Sequence, residues 1–165
     1  MAETFDPNAL PEDRAARYAE LEGEILAVLE GEANLTARMA TVASMLAAAF
    51  PHFYWTGFYV VDTERPRELV VGPYQGTLGC LRIDFSRGVC GRAASTGETQ
   101  VVADVNAFDG HIACDPKSQS EIVVPVRDRS GRLIAVLDVD ATRPSAFDAV
   151  DQSALERLMT RVFAR

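Results

Sequence analysis

Cysteine and histidine are scarce in this chain, three of one and two of the other among 165 residues. Two imidazoles make a thin ligand set, and the cysteine spacing C-x9-C-x23-C lacks the close pairs of zinc motifs, so no metal is expected. No apolar run approaches the roughly 18 residues that a membrane helix needs, which excludes a helical span. Positive charge is outnumbered, 16 Lys and Arg against 24 Asp and Glu, giving a formal charge of −8. Neither nucleic acid nor an anionic membrane is therefore expected as a main partner. The opening stretch MAETFDPNALPEDRAARYAELEGE has no basic leader and no apolar core, so a cytoplasmic location without a secretory signal is expected. In that reducing compartment any cysteine pairing would be transient. No P-loop or dinucleotide fingerprint surrounds Gly72, Gly76 or Gly110, and no cofactor is expected.

What is present reads as one globular domain over residues 1–165, with 48% hydrophobic residues and a chain long enough to bury about 70% of its unfolded surface. Tyr18, Leu21, Ile25, Val28 and Leu29 recur at helical spacing, predicting a helix over 11–30 that Gly31 ends. A second helix is predicted from the cap Asn34 through Leu35, Met39, Val42 and Leu46, stopping before Pro51. Short β-rich pieces follow at 53–61, 68–71, 81–85, 100–103, 122–126 and 133–140. A short helix fits 89–95, closed by Gly97, and a last helix starts near 148 with Val150, Leu155, Leu158, Met159 and Val162 on one side. The expected class is α+β: an approximately six-stranded, mostly antiparallel sheet flanked by N-terminal and C-terminal helices. The longest connection, 104–120, holds Cys114 among polar turn residues, and a thiol placed there invites a reading based on reactivity.

Four segments carry a specific resemblance: GPYQGTLGC (72–80), RGVCG (87–91), GHIACD (110–115) and SEIVVPV (120–126). Their order and the spacing of all three cysteines resemble the free methionine-(R)-sulfoxide reductases, single-domain enzymes of the GAF superfamily. The resemblance spans roughly 50–142; where its pattern has a glycine, this chain has Ser86. It implies a GAF-like fold, reduction of the free amino acid sulfoxide, a sulfenic acid formed on Cys114, Cys80 as the main resolving thiol and Cys90 as a second one. It further implies recycling by thioredoxin and a homodimer.

The residues make chemical sense of those roles. Thiolate attack on the sulfoxide sulfur leaves a sulfenic acid, which a nearby thiol condenses to a disulfide. The departing oxygen needs a proton and the substrate ammonium needs an anion. Asp138 and Asp140 share one face of a predicted strand with Val136, and Glu121 lies opposite the core-facing Ile122, Val124 and Val126. A solvated strand face is the plainer alternative for these carboxylates. Trp55 and Tyr59 share a face with Gly57 between them, leaving room between two rings, and could wall the substrate methyl group or simply be core beside Phe53. His111 is expected to order its loop. A stand-alone ligand-binding GAF sensor is the competing function.

Overall fold

The computed structural model describes residues 4–111 and 114–165; Ile112 and Ala113 of the GHIACD segment lie outside the described residues. Helices α1 (Arg14–Val28) and α2 (Leu35–Ala49) precede strands β1 (Trp55–Val61), β2 (Glu68–Gln75) and β3 (Arg82–Asp84). Helix α3 (Gly88–Thr96), strand β4 (Gln100–Val102), strands β5 (Ser120–Arg127) and β6 (Leu133–Ala141), and helix α4 (Ala149–Phe163) complete the order. The sheet runs β3-β2-β1-β6-β5-β4, and every pairing in it is antiparallel.

The helix ends follow local chemistry. The Asp13 carboxylate accepts from the Ala16 N–H at 2.9 Å and Asn34 accepts from Ala37 at 3.0 Å, each satisfying an orphan donor of the first turn. Asp148 and Asp151 form a reciprocal capping box at the start of α4. The same Asp151, fully buried, accepts from Tyr18 at 2.8 Å and Arg14 at 3.0 Å, which locks α1 to α4. Val28 and Val150, predicted on the buried stripes, are instead 49% and 37% exposed. Each sits in a terminal turn of its helix, where the stripe has already rotated off the core.

Strand alternation divides the interior in two. Phe58, Ile122, Val124, Leu137 and Val139 face α1, α2 and α4 in the larger core. Trp55, Tyr59, Val123 and Val136 face the other way and pack with Cys90, Val89 and Ala93 of α3. Phe53, which the alternation would put with Trp55, precedes β1 and packs in the larger core against Phe50 and Phe147. Strand β2 runs four residues past its expected end, through Gly72 and Pro73. Beyond Val70 it has no β3 partner, so it is an edge there and tolerates a residue without an N–H. The Ser86 turn needs no glycine: the Ser86 N–H and hydroxyl both donate to Asp84 Oδ1, at 2.8 and 2.6 Å, and the positive φ falls on Gly88.

Candidate active site

The smaller core opens into a cavity lined by Trp55, Tyr59, Cys90, Cys114, Glu121, Asp138 and Asp140, so seven of the eight residues singled out from the sequence meet on one wall system. Register explains how. Trp55 on β1 pairs with Asp140 on β6, and Asp140 pairs with Glu121 on β5, making one row across three strands. One step along, Gly57 pairs with Asp138, and Asp138 with Val123. Because both rows point to the α3 side, the carboxylates converge under a roof of loops rather than on a solvated face.

The eighth residue, Cys80, reaches the site through its sulfur. Cys80 and Cys114 form a disulfide, with Cα atoms 5.5 Å apart. It joins the β2–β3 loop to the long connection before β5, so the bond itself is part of the roof. Gly79, next to Cys80, sits close on the aromatic wall: an added Cβ would meet the Trp55 ring and the Tyr59 hydroxyl, both at 3.0 Å.

Glu121 and Asp138 are each 6% exposed and Cys90 is 3% exposed. One ligating atom from each of the three falls within 4.8 Å of the others, and the Cys90 thiol donates weakly to Glu121 Oε1 at 3.9 Å. Burial, then the charges of Asp138 and Asp140, push the Glu121 carboxyl well above its usual range. Burial likewise raises Asp140, helped by Asp138, and lifts Asp138 to about 6. Burial and the three acids also push the Cys90 thiol up, so it stays protonated. Among the described residues Asp138 Oδ1 is buried without a hydrogen-bond partner. An acceptor held dry and unpaired is primed for a donor that arrives from outside.

A third ring, outside the cavity lining, backs the aromatic wall. Trp55 stacks on Tyr59 with ring centres 5.5 Å apart and on Tyr74 at 5.0 Å. The Trp55 indole N–H donates to the Thr77 carbonyl at 2.9 Å, fixing the ring. The space at Gly57 is taken up by this packing, since an added Cβ would meet Tyr74 Cα at 2.8 Å and Trp55 Cη2 at 2.9 Å. The His111 backbone N–H donates to the Phe108 carbonyl at 3.2 Å, a bond open to any residue there, while its ring lines the cavity, with Nε2 4.0 Å from Glu121 Oε2. Burial lowers its pKa, leaving the ring neutral. Tyr74, Asp115 and Ser118 were not singled out beforehand; only the neighbourhood of Cys114 pointed toward the last two.

A GAF domain model matches residues 41–162. The free methionine-R-sulfoxide reductase of Saccharomyces cerevisiae is 41% identical over 133 residues, covering 78% of this chain and 74% of that protein. The Escherichia coli protein of the same name is 38% identical over 145 residues, 88% of this chain and 86% of that one. The X-ray structure of the Neisseria meningitidis free methionine-R-sulfoxide reductase in complex with its substrate superposes with a TM-score of 0.88 at 44% identity, covering 93% of this chain and 92% of that chain. With an acid-floored, aromatic-walled cavity roofed by a disulfide, and with relatives of this likeness along most of its length, the chain belongs to the GAF domain family and, within it, to the free methionine-R-sulfoxide reductases.

Proposed function

We propose that this protein reduces free L-methionine (R)-sulfoxide to methionine through thiol chemistry at Cys114. The observation that carries the reading is the Cys80–Cys114 disulfide lying over a cavity floored by the carboxyl groups of Glu121, Asp138 and Asp140. A disulfide in that place is what the second step of such a cycle leaves behind.

The steps balance as follows. The Cys114 thiolate attacks the sulfoxide sulfur; the S–O bond breaks, oxygen passes to Cys114 as a sulfenic acid, and methionine leaves reduced by two electrons. The Cys80 thiol then attacks the sulfenic sulfur, forming the disulfide and releasing water. An external dithiol returns both cysteines to thiols. Glu121, kept protonated by burial, is suited to give the proton that the sulfoxide oxygen needs. Asp138, with its unpaired buried oxygen, and Asp140, half-buried two residues along the same face of β6, are suited to hold the substrate ammonium. The Trp55 and Tyr59 rings supply an apolar surface for the methyl group and a π-face for a sulfur gaining positive character. Cys90 is the slower resolving thiol in this scheme, because a protonated thiol is a poor nucleophile.

Thioredoxin as the external dithiol, a homodimer and a cytoplasmic setting complete the proposal. A cycle that ends each turn on a disulfide needs a reducing compartment, and no helix among the described residues is long and apolar enough to cross a membrane. Incubation with free substrate and dithiothreitol is expected to release methionine, and Cys114→Ser to abolish that release. A Cys114→Ser variant that still turned over would overturn the assignment. After one turnover without reductant, mass spectrometry is expected to find Cys114 bonded to Cys80.

A further inference from the structure

One carboxylate besides those of Glu121, Asp138 and Asp140 ties three segments of the site together. Asp115 directly follows Cys114. Its Oδ2 accepts from the Thr77 hydroxyl at 2.7 Å and from the Tyr54 phenol at 3.0 Å, and its Oδ1 accepts from the Lys117 N–H at 2.8 Å. Thr77 stands three residues before Cys80 on the other cysteine loop, with its carbonyl held by the Trp55 indole at 2.9 Å. Tyr54 directly precedes β1, and its N–H donates to the Asp140 carbonyl at 2.8 Å. The two cysteine loops are therefore bridged twice, once by the disulfide and once by Asp115 and Thr77. The Lys117 N–H first, and the Thr77 hydroxyl second, hold the Asp115 carboxyl below its usual range, so it is charged at neutral pH.

We infer that Asp115 is the positioning residue of the disulfide-forming step, keeping Cys80 beside the oxidised Cys114 during the interval when no covalent bond joins their loops. This rests on the reading that Cys114 becomes a sulfenic acid. In the step, Cys80 sulfur bonds to Cys114 sulfur, the S–O bond breaks, and hydroxide takes up a proton to leave as water. The reaction is unimolecular, so its rate follows how much of the time the two sulfurs are presented to each other. Hydrogen bonds to a carboxylate are among the stronger kind and are geometrically demanding, which suits them to that task. Thr77 and Tyr54 do not line the cavity, so their hydroxyls reach the chemistry only through Asp115.

The test uses Thr77→Val and Tyr54→Phe, each removing one donor with little change of shape. The reduced full-length protein is mixed with one equivalent of free methionine (R)-sulfoxide and no reductant. Methionine, the sulfenic acid captured by a cyclic 1,3-dione, and the disulfide are then followed in time. In both variants methionine release should keep the wild-type rate. In Thr77→Val the disulfide should form roughly tenfold more slowly, the size expected for losing a hydrogen bond to a charged group, and sulfenic acid should accumulate. Thr77→Ser should restore the rate. Wild-type disulfide formation in both Thr77→Val and Asp115→Ala would overturn the inference. So would a matching slowdown of methionine release, since that places the hub on the substrate step. A parallel arm generates the sulfenic acid with hydrogen peroxide instead of substrate. Slow closure of Thr77→Val in that arm, with no methionine from wild type in the first, would sink the reductase reading and leave this one standing.

Discussion

Asp138 shows at a single residue how the site trades stability for chemistry. Its carboxyl sits at about 6 because it is buried, against about 3.9 in an unfolded chain. Between those values the folded protein binds more protons than the unfolded one, so stability falls as pH rises through that window and stays lower above it. Two pH units correspond to about 3 kcal/mol. Asp138→Asn removes a charge that the fold must desolvate, so it is expected to be more stable than wild type at pH 8, by about that amount at most. The gain should shrink through the window and vanish near pH 3, below both pKa values, where the wild-type carboxyl is protonated folded and unfolded alike. Urea unfolding at the two pH values measures the difference. The same variant should bind substrate weakly, having lost the anion proposed to meet the ammonium. No gain at pH 8 would mean that water reaches this carboxyl.

Among the elements, β1 organises the pocket. It pairs with β6 to place Trp55 beside Asp140 and with β2 to bring Tyr74 over Gly57. Gly57→Ala would press a methyl into the Tyr74 backbone and the Trp55 ring, at 2.8 and 2.9 Å, and the backbone contact cannot be relieved by a rotamer change. Overpacking of this kind costs about 1–3 kcal/mol. Misplacing the stacked rings should raise KM for the free sulfoxide about tenfold or more while leaving the disulfide chemistry of the peroxide-treated protein intact; steady-state kinetics beside thermal melting separates the two effects. The carboxylate rows were legible in the sequence because a period of two residues assigns faces without further information, as for Asp138 against Leu137 and Glu121 against Ile122. Tyr74 was not, since it lies beyond the predicted end of its strand at residue 71, past Gly72 and Pro73, where β2 continues without a β3 partner. His111, Asp115 and Ser118 enter the cavity through a connection whose path follows from tertiary contacts such as Asp115 to Thr77, and no local periodicity encodes it.

On the scale of the whole molecule, the sheet separates two tasks. One face carries three helices over a large apolar core, and the other carries α3, the acids and the two loops that the disulfide joins. That bond spans 34 residues, and closing a loop of this length stabilises a fold by about 4 kcal/mol on chain-entropy grounds. The oxidised protein should therefore be the more stable form, although only the reduced one can start a turnover. For a chain of this size each kcal/mol moves the melting temperature by about 2–4 °C, so oxidation should raise it by roughly 10 °C. Calorimetry with and without reductant checks this, with Cys80→Ser expected to melt at the reduced temperature under both conditions. Cys90→Ser should keep the full shift, because its sulfur takes no part in the bond. A shift near zero would mean that holding the bond costs the folded roof as much as it costs the unfolded chain, making the disulfide a chemical intermediate with little structural weight. A large shift confined to proteins carrying both Cys80 and Cys114 would instead show that each catalytic turn lowers and restores the stability of the whole fold.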